Sequence, residues 1–338
     1  MSIEQIRRSL PTDYAHVSCN FEIAPQKLNV GIVVPSFRRE KYLHRCLESL
    51  QHSDLSGAVL CMVDETEAEV SNLELPGFTC LGDVDSPGGD ITRLNTDLLS
   101  VYSQARAMPE CVAFNELGWL KREVSPLSKF RQVCDCNFRF YVRDSVIEAC
   151  PELLDFQFHT PGGNHDNAQL LQDFSPGVPV IRLFKKRHGH VHDSLLHGWD
   201  LLADMFDVPY FCNLDSDMIV RGNWLAELVH VYEVAAASHG QGMLVATAFN
   251  AVQHTVAESF KDYLVKNSAG GANFLFTKEV YRDTVRPALG SLSWDSEVVR
   301  GIQLKSGLVI STPRSLVQHI GARGMWSKPS AYDLASDY

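Results

Sequence analysis

The stretch VPYFCNLDSDMIVRGNW, Val208 to Trp224, places Asp215 and Asp217 one residue apart at the end of an apolar run. Side chains alternate along an extended strand, so such a pair would point to one side. Two carboxylates held close repel each other unless a cation sits between them. A hard divalent ion ligated by oxygen, Mn²⁺ or Mg²⁺, relieves that repulsion and can bridge to a diphosphate. The spacing alone is weak, because Asp83 and Asp85 repeat it within LGDVDSPGGD. Glycine, serine and proline there indicate a solvated turn. The strand in front of the later pair is what separates the two.

Other residues carry chemistry by type and place. RHGHVHD sets His188, His190 and His192 at alternate positions; in a strand they would share a face and form a zinc ligand set. Lys185, Lys186 and Arg187 make a local basic patch suited to one anionic ligand. Asp295 follows Trp294 ahead of an apolar helical run. A carboxylate there caps the helix or serves as a base. Glu297 competes for the second role, and on a helix the two would point apart. Trp294 is either core or the floor of a sugar site. A lone histidine such as His319 in VQHIG is ordinarily a core residue.

These side chains must be positioned by something, and the apolar runs say what. KLNVGIVVPSF contains a continuous run from Val30 to Val34, stopped by Pro35. Such a run suits a parallel sheet covered on both faces. REKYLHRCLESLQ then has Tyr42, Leu43, Cys46, Leu47 and Leu50 at helical spacing, and GAVLCMVDET repeats the strand pattern up to Asp64. This β-α-β opening predicts a doubly wound α/β sheet. VPVIRLF, VPYFCNL, GMLVATAF, GANFLFTKEVY and LVISTPRSLVQHIG read as later strands, and DSEVVRGIQLKSG as a helix ended by Gly307. Residues 1 to about 27 read as a lead-in with a short helix. Residues 65–177 read as a largely helical insertion or lid, with helices over DLLSVYSQARAM and SPLSKFRQVCDCNFRFYVRDSVIEAC between turn-rich loops. The polar tail 322–338 is expected to be loose.

Bulk properties bound the function. A formal net charge of -11 argues against a broad grip on nucleic acid or anionic membrane. The nine cysteines are scattered without a CxxC repeat, and Cys134 and Cys136 are the one close pair, as expected for reduced thiols. No signal-peptide core and no window of ~18 uninterrupted apolar residues occur, so no membrane span and a cytoplasmic location are expected.

Five short segments in order resemble one family. VGIVVPSFRREKYLHRCLESL, VDE and YFCNLDSDM resemble the nucleotide-sugar half of GT-A glycosyltransferases, especially family 2. RHGHVHDSLLHGWDLL stands at the N-x-G-x-x-x-A-R-N-x-G-like segment of family 2, with His188 and Gly189 in place of Asn and Gly. SWDSEV resembles the segment with the catalytic base of inverting members. PRSLVQHIG resembles the P-S-L-x-Q-H-x-G segment of branching N-acetylglucosaminyltransferases.

The resemblance implies a GT-A (Rossmann-like) fold, a mixed, mainly parallel sheet flanked by helices, with a mostly helical insertion. It implies a single catalytic domain over 1–321, with 29–64 and 178–321 as the nucleotide-sugar and acceptor core. Pro35, Ser36 and Phe37 would edge the nucleotide, Asp64 would meet its base or ribose, and Arg38 or Arg39 a phosphate. His188, Asp193, Asp215 and Ser216 would contact the donor. Asp215, Asp217 and His319 would hold the metal, and the imidazole favours Mn²⁺ over Mg²⁺. Asp295 would be the general base. GGAN, Gly270 to Asn273, would lie beside the acceptor.

The implied function is metal-dependent, inverting transfer of a sugar from a nucleoside diphosphate, UDP by expectation, to a hydroxyl. The acceptor is open among glycan, lipid-linked sugar, protein side chain and modified DNA base. A nucleotidyltransferase is an alternative, although PSFRRE after Val34 lacks that class's glycine-rich loop. A sugar-nucleotide or carbohydrate-binding module without turnover is another.

Overall fold

Strands apolar at every position need cover on both faces, and Val30–Ser36 and Ala58–Asp64 are buried along their whole length. The computed structural model describes residues 6, 10, 14–21, 28–66, 74–82, 84–132, 138–154, 166–189, 191–240, 243–291, 293–321 and 333–338. The chain divides into two compact units: Met1–Glu69 with His165–Gly321 and Tyr332–Tyr338, and Val70–Asn164 with Ala322–Ala331.

The first unit holds a ten-stranded mixed sheet. Its order is Tyr14–Cys19, Val180–Lys185, Ala58–Asp64, Val30–Ser36, Tyr210–Asn213, Leu275–Thr277, Leu244–Thr247, Leu308–Ser311, Leu264–Lys266, Val256–Ser259. The second to fifth of these run parallel. Alternate side chains feed two cores. Val30, Ile32 and Val34 pack with the helices Glu40–Gln51 and Trp224–His239. Val33, Val59 and Cys61 pack with the helices Val191–Met205 and Trp294–Leu304. The sheet thus has helices on both faces, the mixed α/β architecture read from the sequence. Of the four parallel strands Val30–Ser36 comes first in the chain, and the later three add on either side of it. The order therefore reverses between it and Tyr210–Asn213, and sheets of this kind bind ligands outside the carboxyl ends at such a point.

Close helix-sheet packing aligns this edge. A Cβ at Gly198, within Val191–Met205, would lie 2.6 Å from Val33 Cγ1. Gly198→Ala is therefore expected to destabilise the unit by roughly 1–3 kcal/mol, the range for overpacking. Chemical denaturation measures this as a shift in midpoint at constant slope.

The second unit corrects an expectation. Where a mostly helical insertion is expected, the described residues form a five-stranded antiparallel sheet: Phe78–Gly82, Arg139–Arg143, Ala113–Asn115, Trp119–Lys121, Asp90–Arg93. Leu98–Ala107 is helical as expected. Of the helix expected over 125–150, the described residues show Asp144–Ala149 and one 3₁₀ turn as helical. FRFYV belongs to a strand because its aromatic and β-branched side chains pack across the sheet. Tyr141 stacks on Phe114 at 4.9 Å between ring centroids.

Three smaller expectations also change. Tyr14–Cys19, placed in the lead-in, is an edge strand antiparallel to Val180–Lys185. Asp83 and Cys134 and Cys136 lie outside the described residues, but Asp85 belongs to a two-residue strand and accepts from Asn115 Nδ2 at 3.1 Å. Of the tail, 322–332 lies outside the described residues, whereas 333–338 is pinned to the main sheet's unit. Among the described residues no helix is long and apolar enough to cross a membrane.

Candidate functional site

Strand Tyr210–Asn213 ends before Asp215, so strand alternation does not reach the aspartate pair. After it the chain turns, with Met218 N–H donating to Asp215 O at 3.0 Å, and the strand Met218–Val220 follows. Asp215, Ser216 and Asp217 therefore sit in a turn and not on one strand. Backbone bonds hold them: Asp215 N–H donates to Ala272 O at 3.0 Å, and Ile320 N–H to Asp217 O at 2.9 Å. Met218–Val220 pairs antiparallel with Val317–His319, with Met218 opposite His319.

That register brings the ligand candidates together. His319 Nε2 lies 3.1 Å from Asp217 Oδ2, and Arg39 Nη1 donates to the same oxygen from 2.9 Å. A Cβ at Gly321 would overlap the Asp217 carboxylate, so this position needs glycine. Burial would push the Asp217 carboxyl up, but Arg39 and His319 outweigh it and hold it well below the usual carboxylate range. Asp215 moves the opposite way: burial and the neighbouring Asp217 charge raise its carboxyl well above the ordinary value. Its carboxylate meets Asn213 Nδ2 at 3.5 Å. Asp217 is thus held ionised, while burial and the Asp217 charge disfavour ionisation of Asp215.

A divalent ion would find two protein donors at this turn. Among the described residues no three His, Cys, Asp or Glu side chains are grouped to hold a metal. Asp217 Oδ2 and His319 Nε2, however, are 3.1 Å apart. That is about the separation of two ligands each ~2.1 Å from one ion at a right angle. Ions of the Mg²⁺ kind commonly take one or two protein ligands and complete their shell with substrate phosphates and water. The residues fit an ion shared with a diphosphate; they do not form a protein-only cage.

Arg39 adds a second positive element. Arg38 and Arg39 both adopt the left-handed conformation, with φ 51° and 57°. Non-glycine residues there carry strain of about 1–3 kcal/mol. The Arg39 guanidinium lies 4.7 Å over the Tyr42 ring. Its Nε and Nη2 are buried and, among the described residues, have no hydrogen-bond partner. A buried donor fork without acceptors suits an anion.

Asp64 is engaged within the protein. Only 2% exposed, it accepts from Ser36 Oγ at 2.5 Å, Thr66 Oγ1 at 2.9 Å, Thr66 N at 3.2 Å and Asn167 Nδ2 at 3.3 Å. Burial raises its pKa against these bonds. The carboxylate is satisfied within the protein and organises the rim. Thr66 Oγ1 accepts from Arg38 N at 2.8 Å, and Asn167 Nδ2 reaches Arg38 O at 2.9 Å. Pro35 and Ser36 are buried beneath, and the Phe37 ring packs on His188 at 4.1 Å.

The histidine segment is corrected on two points. His188 precedes the helix that contains His192, and His190 lies outside the described residues, so no strand aligns three imidazoles for zinc. Lys185 is not a free cation. It is 2% exposed and donates to Glu65 Oε1 at 2.8 Å and Asp193 Oδ2 at 2.6 Å. Glu65 Oε2 also takes Gly189 N–H at 2.8 Å and faces His188 Nδ1 at 2.7 Å, and Ser194 Oγ donates to Oε1. Asp193 and His188 are therefore bound into an ionic cluster behind the rim. Lys186 and Arg187 of the basic patch are exposed.

Asp295 and Glu297 separate cleanly. Asp295 accepts from Gly271 N at 3.2 Å and Ser296 N at 2.7 Å. Gly271 O in turn accepts from Asn213 Nδ2 at 2.6 Å, and Asn213 leads into the Asp215 turn. A Cβ at Gly271 would lie 2.8 Å from Asp295 Cβ, so the glycine admits the carboxylate. Glu297 instead pairs with exposed Arg300. Trp294, 6% exposed and against Trp199 and Phe274, is core.

Sequence reasoning missed Glu65, Asn167 and Asn213. Glu65 had the signal used for Asp64, a carboxylate closing an apolar strand. The asparagines bond main-chain atoms or partners far along the chain, which spacing does not reveal.

The chain matches no family model. A 73-residue stretch is 33% identical to part of "Putative glycosyltransferase R655" of Acanthamoeba polyphaga mimivirus, covering 22% of each protein. Most of both chains lies outside that match. Among solved structures, residues 1–349 of S. aureus TarS overlap at a TM-score of 0.38 and 8% identity, covering 87% of this chain and 61% of that one. A197 from STIV overlaps at 0.30 and 15% identity, covering 46% and 82%. At these scores neither overlap bears on function.

Proposed function

We propose that the chain is a metal-dependent, inverting glycosyltransferase using a nucleoside-diphosphate sugar, UDP-linked, and a hydroxyl acceptor. The convergence of Asp217, His319 and Arg39 at the carboxyl edge of the parallel strands carries this reading. The likeness of one stretch to a viral protein named as a glycosyltransferase supports it.

The rim built on Asp64, Ser36, Thr66 and Asn167 holds Phe37 and the Arg38 backbone against the nucleotide. Arg39 turns its unpartnered N–H groups to the diphosphate. Asp217 and His319 would hold Mn²⁺ or Mg²⁺, which when bound offsets charge on the departing diphosphate. Asp295, fixed by two backbone N–H groups, takes the proton of the acceptor hydroxyl. The acceptor oxygen bonds the anomeric carbon from the opposite face, and the electron pair of the broken C–O bond leaves with the diphosphate. Net acidity favours a glycan over polymeric DNA as acceptor.

Mass spectrometry of the protein soaked with a panel of nucleotide sugars, with and without Mn²⁺, tests the donor. Asp217→Asn should lose at least ~10-fold in Mn²⁺ affinity by calorimetry, because one of two protein ligands loses its charge. Unchanged affinity removes the metal assignment. The Arg39–Asp217 ion pair favours one rival, nucleotide-sugar binding without turnover or metal. Donor binding with no Mn²⁺ dependence and no product would select it.

A further inference from the structure

Asp295 has a neighbour that the proposed reaction does not use. His254 lies in the turn after strand Leu244–Thr247, its N–H donating to Ala251 O at 3.0 Å. The hairpin that follows pairs Val256 with Lys266, and Asn267 N–H donates to Thr255 O at 3.0 Å. Carried one step further, that antiparallel register sets His254 opposite Ser268. There His254 Nδ1 meets Ser268 Oγ at 2.8 Å, which fixes the ring. The other nitrogen, Nε2, has no hydrogen-bond partner among the described residues, and the side chain is half-buried. A Cβ at Gly270 would lie 3.3 Å from this Nε2, so the imidazole edge rests on the glycine backbone.

The next two residues tie that nitrogen to the rest of the site. Gly271 N–H donates to Asp295 Oδ2 at 3.2 Å, and Ala272 O accepts from Asp215 N–H at 3.0 Å. Gly270 to Ala272 thus carry the imidazole, the proposed base and the aspartate turn in succession. The path through Gly270 and Gly271 N limits the separation of Nε2 from Asp295 Oδ2 to about 10 Å. One sugar ring with a hydrogen bond at either end covers that span. Ser268 Oγ can donate to Nδ1 or accept from it, so Nε2 can accept or donate in turn. A hydroxyl does both and fits either state. Burial lowers the ring's pKa below its ordinary 6.5 against the pull of Asp333, with Lys266 lowering it further and Asp295 opposing. Lys266 itself is buried and donates to Asn250 Oδ1 at 3.4 Å. An anionic acceptor would instead meet the Asp295 and Asp333 charges that reach this ring.

We propose that His254 Nε2 binds a second, unreactive hydroxyl of a neutral sugar acceptor whose reacting hydroxyl lies at Asp295. The reacting hydroxyl in this statement rests on the transfer proposed above; the sugar contact at His254 does not. His254 then reads the configuration of a hydroxyl that takes no part in the chemistry, because a sugar with that group on the other face leaves Nε2 unpaired. Ser268 is a positioning residue: it holds the ring and does not touch the sugar.

The test uses the full chain and, as probes, the methyl glycosides of glucose, galactose, mannose and N-acetylglucosamine in both anomeric forms. In long-range ¹H–¹⁵N spectra of the imidazoles, assigned with His254→Gln, at least one glycoside should shift the His254 signal saturably. With the nucleotide sugar selected by mass spectrometry, the KM of that glycoside should rise ~3–10-fold in His254→Ala, the loss of one hydrogen bond. Its kcat should stay within about twofold, as for a contact made equally before and during reaction. His254→Gln should recover part of the KM, and Ser268→Ala, which frees the ring, should raise it in the same direction. Calorimetry with UDP reports whether each variant is folded. Should the glycoside bind without turnover, its Kd is compared in place of KM. A panel in which no glycoside moves the His254 signal overturns the proposal, as does an unchanged KM or Kd in folded His254→Ala. A saturable His254 shift in a protein that binds no nucleotide sugar upholds the sugar contact and removes the transfer reading. Donor turnover to water with no glycoside shift does the reverse.

Discussion

Asp295→Asn is expected to lower sugar transfer by at least ~10²-fold while leaving nucleotide affinity unchanged, the scale of a lost general base. The substitution keeps the size of the side chain and one oxygen to accept from Gly271 or Ser296. What it removes is the second carboxylate oxygen and the capacity to take a proton. The groups proposed for the donor hang on other elements: Asp217 and His319 on the paired short strands, Arg39 at the start of Glu40–Gln51. Single-turnover rates together with calorimetric titration of UDP separate the two quantities. Glu297→Gln is the matched control and should run within about twofold of the wild type, because Glu297 is tied to exposed Arg300 and an exposed ion pair contributes little. Wild-type turnover by Asp295→Asn would leave Asp295 as a helix-start residue and nothing more.

How much of this was legible in the residues differs from one element to the next. Val30–Ser36 and Ala58–Asp64 were readable because both faces are buried and every position is apolar. The insertion was not. Its strands of two to five residues are too short to show alternation, and spaced apolar residues in FRFYVRDSVIEA fit a helix as well as a strand. The site shows the same limit. That Asp217 and His319 belong together followed from the order of motifs; that a turn and an antiparallel register bring them together did not. Arg39 could be named as an arginine after a strand, but its left-handed backbone and ion pair with Asp217 are products of tertiary structure. Lys185 is the plainest failure. Next to Lys186 and Arg187 it reads as solvent-facing charge, yet as the last residue of a buried strand it faces Glu65, 120 positions earlier.

That buried pair is where the largest effect on stability is expected. Glu65→Gln should destabilise the protein by about 3–5 kcal/mol, because it leaves the Lys185 ammonium enclosed with one anion fewer. For a unit of this size that is a fall of roughly 10 °C in Tm. The amide keeps the volume but turns an NH₂ toward one set of donors, Lys185 and Ser194 or Gly189 and His188, all of which Glu65 now accepts or faces. The sign of the pH dependence follows from the shifts. Burial would raise the Glu65 carboxyl, but His188 and Lys185 outweigh it and hold it below its ordinary 4.5. Its stabilisation is therefore complete above that value and is lost as pH falls through the lower, folded value. Lys185, pushed down by burial but raised overall by Glu65 and Asp193, contributes below its ordinary 10.5 and loses that contribution only in more alkaline solution. Urea midpoints from pH 3 to 7 should fall on the acid side for the wild type, and less steeply for Glu65→Gln. Replacing both partners, Glu65→Gln with Lys185→Met, should recover part of the loss, since no bare charge then remains inside. A double variant no more stable than Glu65→Gln alone would mean that Glu65 acts through Gly189 and His188, as the clamp on the histidine segment, more than through the ammonium.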